Sequence, residues 1–280
     1  MLMSKYFRKF VDRAILSVKY FTMESAQVIS HVHDPEYGAV VEVSKRTKSP
    51  SLLIVCEHAS NYIPLHLKNL GLSHDAQFSH AAWDPGALGV AASMADLLPA
   101  LLISGRVSRL VYDCNRPPEA ASAIPDKSEV YDIPGNVNLS AKERQKRIDC
   151  VYRPFETALY DHIKLHRDTL ALMVTIHSFT PVFHGKQRDV DIGILHGKDS
   201  QFAHAMMGAI PPETKFDVRL NEPYSAQDGV AHTLDLHGAG NGLANVMIEI
   251  RNDLIQTPDN QRELAQFLSD WLIQTRRGIS

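Results

Sequence analysis

Short apolar runs alternate along this chain with polar segments that follow them directly. Residues 52–56, LLIVC, form one such run, and Glu57, His58, Ser60 and Asn61 come immediately after it. A run of this length, rich in branched side chains and closed by polar residues, predicts a buried strand of an α/β sheet. Ligands bind beyond the carboxyl ends of strands in open α/β sheets, so His58 is a candidate site residue. The alternative is a loop histidine that is hydrogen-bonded to the backbone.

The same pattern predicts further elements on both sides of this run. Other apolar runs predict strands at residues 39–43, 101–103, 108–112, 170–176, 191–195, 218–220 and 244–250. Helical spacing predicts helices at 74–80, 87–98, 140–167, 200–209 and 260–277, with a short helix or turn at 62–71. Ser140 and Glu143 form a capping-box pattern, and Pro154 predicts a kink in the helix that they begin.

Four predicted strands end in polar residues that suit metal-dependent hydrolysis. The groups are Glu57-His58, Asp113–Arg116, His177-Ser178 and Glu249–Arg251. Neutral imidazoles and a carboxylate bind Zn²⁺ with one position left for water, whose pKa falls to about 7. A nearby carboxylate then accepts the water proton, and arginine matches a substrate carboxylate. If the strand ends align in one sheet, they form a mononuclear metallohydrolase site.

Composition narrows the class of protein and leaves the metallohydrolase hypothesis unchanged. The 280 residues are 44% apolar and 22% charged, which favours one α/β domain with a large core. A net charge of −3 argues against a nucleic-acid partner, and no apolar run approaches a membrane span. Three separated cysteines indicate a cytoplasmic protein without a disulfide framework. Cys56 and Cys114 adjoin the motifs above, so a cysteine nucleophile stays an alternative.

The first residues differ from the rest of the chain. Residues 1–22 are basic and amphipathic, but they lack the continuous apolar core of a secretory signal. We interpret residues 1–27 as an extension, translated from an upstream start with Met23 as the functional beginning, and residues 28–280 as a single domain. A surface-lying helix and an organelle presequence are the alternatives.

Seven motifs together resemble the N-formylglutamate amidohydrolase family, and particularly its group of predicted amidohydrolases of uncertain substrate. In order along residues 35–270 they are CEHASN, WDPGA, SRLVYDCNRPPEA, TIHSF, DIGIL, NEPYS and VMIEIRNDL. The resemblance implies a three-layer α/β fold, with a central mixed, mostly parallel sheet flanked by helices. This fold is related to the zinc carboxypeptidases, phosphorylase-hydrolases and aspartoacylase-like deacylases.

The resemblance also assigns roles to individual residues. His58 and His177 match the two metal histidines, Asn115 and Arg116 match an Asn-Arg pair that receives a substrate carboxylate, and Glu249 matches the catalytic base. It implies one divalent metal ion, with Zn²⁺ expected.

The third metal ligand departs from the family pattern. Asn61 stands where a ligating glutamate is expected, and an amide oxygen is the poorer zinc ligand. We keep Asn61 as a substrate-binding candidate. Asp84 and Glu57 are the available carboxylates, and we expect Asp84 to ligate because Glu57, adjacent to His58, would point away from it. A helix cap is the alternative for Asp84.

Several other polar residues have two interpretations each. Arg251 lies two residues after Glu249 and so on the same side of a strand, where it would bind a second carboxylate or stabilise an oxyanion. Its alternative is an ion pair with Asp253 or Asp113. Arg109 is a candidate substrate-binding residue.

The remaining candidates are second-tier. Asp113 would act in the site or anchor the loop that carries Arg116, and Glu57 is the reserve ligand. His196 and His237 would polarise a carbonyl or serve as structural histidines. The helical i, i+4 pair His162 and His166 is interpreted as part of a solvated face.

These observations converge on one leading function. We expect metal-dependent hydrolysis of the amide of a small N-acyl acidic amino acid, with N-formyl-L-glutamate giving formate and L-glutamate, a reaction of histidine degradation. The alternatives are another N-acyl amino acid or peptide-like amide, and a non-catalytic binding protein on the same scaffold. Residues 119–139 would form a lid that decides the substrate. The sequence leaves the oligomeric state open.

Overall fold

A computed structural model describes residues 27–279, so the extension predicted at 1–27 lies, except for its last residue, outside the described residues. The described strands of the main sheet are β1 (Val28–Asp34), β2 (Gly38–Lys45), β3 (Leu52–Cys56), β4 (Ala100–Gly105), β5 (Leu172–Phe179), β6 (Ile192–Leu195), β7 (Val218–Leu220) and β8 (Ala244–Arg251). The α-helices are α1 (His74–Phe78), α2 (Ala87–Leu97), α3 (Ala141–Arg147), α4 (Arg153–Leu165), α5 (Gln201–Gly208) and α6 (Pro258–Gly278).

The sheet is mixed, with a parallel centre. Its strand order is β1-β2-β4-β3-β5-β8-β6-β7. The central strands β4, β3, β5 and β8 are parallel, so their carboxyl ends lie at the same edge. Strands β1 and β2 add antiparallel pairs on one side, and β6 runs antiparallel to β8 on the other. The mixed, mostly parallel sheet of the prediction is confirmed.

Helices cover both faces of this sheet. Along β3, Leu53 and Val55 pack in a cluster with α4, whereas Leu52 and Ile54 pack in a second cluster with α2 and α6. Successive side chains of a strand point to opposite faces, so a strand that is apolar throughout must be covered twice. The sheet and the helices on its two faces form the predicted three-layer arrangement. Within residues 27–279, no helix has the length and apolar character needed to cross a bilayer.

The long helical segment is divided by a local change of winding. Ser140 and Glu143 form the predicted capping box at the start of α3. A π-helical turn, Ile148–Tyr152, separates α3 from α4, whose second residue is Pro154. The irregularity expected from the proline is therefore present, on its N-terminal side.

Two strand predictions differ from the structure. The strand predicted at 108–112 is wrong: this segment is a buried turn, in which the Ser108 hydroxyl donates to the Ala82 carbonyl and accepts from the Leu110 amide. Its side chains are mostly buried, although the segment pairs with no described strand. The apolar run therefore reflects burial and does not indicate a strand. The edge strand β1 was missed because its residues are mostly exposed and follow no apolar alternation.

Candidate metal centre and active site

A row of buried polar side chains crosses the carboxyl edge of the central strands. His177 of β5 and Glu249 of β8 are register partners on neighbouring parallel strands. Glu57 directly follows β3, and its Oε2 lies 3.1 Å from His177 Nε2. All three are at most 5% exposed. The sheet therefore places the ends of three separate strands within one site, as the strand-end pattern predicted.

His58, Asp84 and His177 form a group that could hold a metal ion. One possible ligand atom from each residue lies within 4.8 Å of the other two. Asp84 Oδ2 is 3.3 Å from His58 Nδ1 and 2.9 Å from His177 Nδ1. Two imidazoles and a carboxylate are the donor set of a catalytic zinc site, which keeps its fourth position for water or substrate.

Backbone geometry turns Asp84 towards the histidines. Its amide donates to the His58 carbonyl at 2.9 Å. Gly86 is the N-cap of α2, with φ of +83°, and a Cβ at this position would lie 2.5 Å from the Ile255 carbonyl oxygen. Only glycine fits there, so α2 begins beyond Asp84 and no side chain caps it. The helix-cap alternative for Asp84 is not what the structure shows.

Two further carboxylates orient the histidine rings. His58 Nε2 lies 2.7 Å from Asp113 Oδ1, and Glu57 approaches Nε2 of His177, on the far side of the ring from Asp84. A carboxylate at Nε2 fixes the proton there and leaves the Nδ1 lone pair for a metal. Two such lone pairs then converge with a carboxylate oxygen, an arrangement that a cation stabilises. The residues present therefore fit a divalent metal ion.

The electrostatics of His58 and Glu249 match these roles, whereas at His177 the Glu57 carboxylate outweighs burial and raises the pKa of the ring. Burial, together with the nearby charge of Arg109, lowers the pKa of His58 to about 4, so that this ring is neutral. Burial raises the pKa of Glu249, and its Oε2 has no hydrogen-bond partner. A buried carboxyl group with a raised pKa is suited to accept and return a proton near neutral pH.

The orienting role of Asp113 gives a testable prediction. We expect Asp113→Asn to weaken Zn²⁺ binding by roughly 10- to 100-fold, because loss of a carboxylate behind a ligand histidine makes that ring a poorer donor. Competition with a chromogenic chelator measures the affinity. The control is Asp126→Asn, which neutralises an exposed carboxylate in the 119–139 loop. Equal Zn²⁺ affinity in the two variants would contradict the role.

Arg109 lies at the metal group itself. Its Nη2 contacts Asp84 Oδ1, while its buried Nε has no hydrogen-bond partner. This Nε donor is a candidate for a substrate oxygen. A substrate-binding role for Arg109 stays a prediction.

Three other predicted substrate-binding residues contact protein groups. Asn115 donates to the Val230 carbonyl at 2.6 Å and accepts from the Thr233 amide at 3.0 Å. Arg116 donates to the Asp228 carbonyl at 2.7 Å and lies 3.8 Å from Asp113, so the loop-anchoring alternative for Asp113 also has support. These contacts hold residues 228–233 beside the site. Asn61 donates to the Gln77 carbonyl at 3.3 Å and lies outside the metal group.

Arg251 and the second-tier histidines lie outside the metal group. Arg251 forms ion pairs with Asp253 at 2.8 Å and with Asp191 at 2.9 Å, so the predicted ion pair with Asp253 is observed, and a catalytic role for Arg251 stays a prediction. His196 contacts the Gly197 carbonyl and Asn221 through its two ring nitrogens, each at 2.9 Å. His237 is buried, which lowers its pKa to about 4. The structural interpretation of both histidines has more support.

The cysteine alternative has no support in this arrangement. Cys56 and Cys114 are buried, and burial raises the pKa of both thiols. A thiol is nucleophilic only as the thiolate, which such surroundings disfavour.

The sequence pattern missed His80 and Glu129. His80 Nε2 lies 2.6 Å from the Ser178 carbonyl and 3.4 Å from Asp84 Oδ1, and its Nδ1 lies 2.7 Å from Glu129 Oε1. Glu129 is at the tip of a hairpin, Lys127–Ser128 with Tyr131–Asp132, within the long 119–139 loop. The loop therefore reaches the metal group, although its role as a lid stays a prediction. No local signal marks these two residues, because their partners are distant in the chain.

Comparison with known proteins gives a family match and similar solved structures. The family model described as N-formylglutamate amidohydrolase matches residues 50–256. A crystal structure of a gene product from Agrobacterium tumefaciens is 48% identical, covers 86% of this chain and 96% of its own, and has a TM-score of 0.84. The fold is also similar to that of N-formylglutamate amidohydrolase from Ralstonia eutropha, with 16% identity, coverage of 85% and 99%, and a TM-score of 0.55. No curated protein sequence matches the chain.

Proposed function

Because this chain belongs to the N-formylglutamate amidohydrolase family and is a hydrolase of amide C–N bonds, we propose that it is metal-dependent and acts on N-acyl acidic amino acids. The preferred substrate is N-formyl-L-glutamate, which gives formate and L-glutamate. The observation that carries the proposal is the convergence of His58, Asp84 and His177 beside the buried carboxyl group of Glu249.

His58 and His177 would hold the ion through Nδ1, and Asp84 through a carboxylate oxygen. Zn²⁺ is the proposed ion because this donor set suits it. When bound, the ion supplies Lewis acidity, which polarises a carbonyl and lowers the pKa of water. Glu57 and Asp113 hold the rings in the orientation that binding requires.

Glu249 serves as general base and then as general acid. It takes a proton from the attacking water as the oxygen bonds to the formyl carbon. It returns that proton to the amide nitrogen as the C–N bond breaks, so that a neutral amine and formic acid leave. In water near neutral pH the acid gives up its proton to become formate, and the amine takes one up. The unpartnered Nε donor of Arg109 stabilises the negative charge that develops on the carbonyl oxygen.

Formate release is the experiment that tests this function. The purified protein, reconstituted with Zn²⁺, is given N-formyl-L-glutamate, and formate and L-glutamate are each measured by a coupled dehydrogenase assay. We expect equimolar release of the two products, and loss of release after chelation. N-acetyl-L-glutamate is assayed in parallel. Hydrolysis of the acetyl compound alone would contradict N-formyl-L-glutamate as the substrate and support the deacylase alternative. Turnover of neither, with Zn²⁺ bound, would contradict the proposal.

A further inference from the structure

Arg188 lies at the rim of the site within a group of aromatic rings. Its guanidinium carbon is 4.4 Å from the ring centre of Phe183, 4.9 Å from that of Tyr224 and 5.5 Å from that of Phe179. A guanidinium over aromatic faces is stabilised by the ring quadrupoles and keeps its edge donors for other partners. Arg188 is half-buried.

Arg188 differs from the other arginines of this region in having no carboxylate partner. Arg109 contacts Asp84, and Arg251 pairs with Asp191 and Asp253. Among residues 27–279, no carboxylate lies within ion-pair distance of Arg188. Its Nη1 donates to the Thr180 carbonyl at 3.3 Å, and its side chain also hydrogen-bonds to Tyr224. A half-buried cation of this kind is strongly stabilised by an anion in a matched position.

The charge of Arg188 reaches the catalytic carboxylate without pairing with it. Phe179 is two residues beyond His177 on β5, which places the aromatic group at the same edge of the sheet. Burial raises the pKa of Glu249 and the hydrogen bond from His80 lowers that of Glu129, while Arg188 acts on both in the lowering direction. The guanidinium therefore acts on both carboxylates while it pairs with neither.

Arg251 fixes the segment that carries Arg188. Its Nη1 donates to the backbone carbonyls of Arg188 and Asp189, at 3.3 Å and 3.2 Å. The Arg188 amide donates to the Pro181 carbonyl at 2.8 Å. These bonds make Arg251 a positioning residue for a pre-organised guanidinium.

We propose that Arg188 binds the side-chain carboxylate of the substrate and thereby selects acidic N-acyl amino acids, an inference that rests on the proposed function. Arg109 lies against Asp84 in the metal group, whereas Arg188 lies among aromatic rings. In the proposed complex the methylene groups of a glutamyl side chain lie between the two arginines. Phe183 and Tyr224 supply apolar walls for these groups and exclude water from the ion pair.

The test compares ligands that differ only in the side-chain carboxylate. Binding of L-glutamate and L-glutamine to the Zn²⁺-loaded protein is measured by calorimetry, and kcat/KM is measured for their N-formyl derivatives. We expect Arg188→Met to weaken L-glutamate binding and to lower kcat/KM for N-formyl-L-glutamate by roughly 10- to 100-fold, the range for hydrogen bonds to a charged group. L-glutamine and its derivative should change less than about 3-fold, on the grounds that they form no such ion pair. Arg188→Lys should lie between the wild type and Arg188→Met, because it keeps the charge and loses the fork.

Lys186→Met is the matched control, since Lys186 is exposed on the same hairpin and carries the same charge. It should leave both ligands unaffected. Equal losses for glutamate and glutamine, or no loss for either, would overturn the assignment of Arg188. If the wild type hydrolyses neither derivative, the proposed function fails, but the calorimetry still decides this inference. A glutamate preference that Arg188→Met abolishes supports it, and the absence of a preference in the wild type overturns it.

Discussion

Glu249→Gln should keep its metal and lose about 10²- to 10⁴-fold in kcat, the usual contribution of a general acid–base residue. The substitution preserves the shape of the side chain but removes the group that accepts the water proton. Glu249 is 5% exposed and has an unpartnered Oε2, so no solvent-exposed carboxylate can replace it. Steady-state formate release from N-formyl-L-glutamate measures the effect, and elemental analysis of the same sample measures the metal.

The matched control is Glu263→Gln, an exposed position on α6 far from the sheet edge. It should keep wild-type kcat. Glu249 would lose its role as base if Glu249→Gln turned over substrate at the wild-type rate with metal bound. A variant that lost both metal and activity would instead assign Glu249 to metal binding.

His58→Ala/His177→Ala should remove the metal together with all measurable turnover, because a single carboxylate ligand is left of the three-residue group. The wild type should bind about one Zn²⁺ per chain, the stoichiometry of a mononuclear site. Binding to the folded state alone stabilises it by about 2.7 kcal/mol when the free ion is at 100 times Kd. That free energy corresponds to a rise in Tm of roughly 5–10 °C for a chain of this size. Thermal unfolding with and without Zn²⁺ therefore gives a readout that does not depend on activity.

His162→Ala/His166→Ala is the control for this double variant. The two rings stack one turn apart near the end of α4, with centroids 6.2 Å apart, and they lie outside the metal group. This control should keep the metal and the Zn²⁺-dependent rise in Tm. If Zn²⁺ raised the Tm of both double variants by the same amount, the metal site could not be the group at the strand ends.

The sequence determined the central elements of the fold for a physical reason. Strands β3, β5 and β8 are covered by helices on both faces, so their buried residues are mostly apolar and each strand is visible as an apolar run. The edge strand β1 is exposed and has no such requirement. The turn at 108–112 shows the opposite case, because its apolar residues are buried without pairing in the sheet.

The site residues also divide into those that the sequence predicts and those whose placement depends on the fold. His58, His177 and Glu249 were predictable because parallel strands end at one edge, so a polar residue after each run must lie near the others. The sequence already favoured Asp84 as the third carboxylate, but the cause of its orientation required the fold, since the backbone bond to His58 and the turn at Gly86 direct its side chain.

Only the tertiary structure decided which charges neutralise one another. The sequence shows that Arg251 has Asp253 two residues away, but the partner of Arg109 is 25 residues distant along the chain and the contacts of His80 are 49 and 98 residues distant. An ion pair depends on the distance between side chains in space, which local patterns do not encode. The sequence therefore predicted the candidate metal histidines and the candidate general base, while the fold identified Arg188 as a cation beside the site with no carboxylate partner in the described chain.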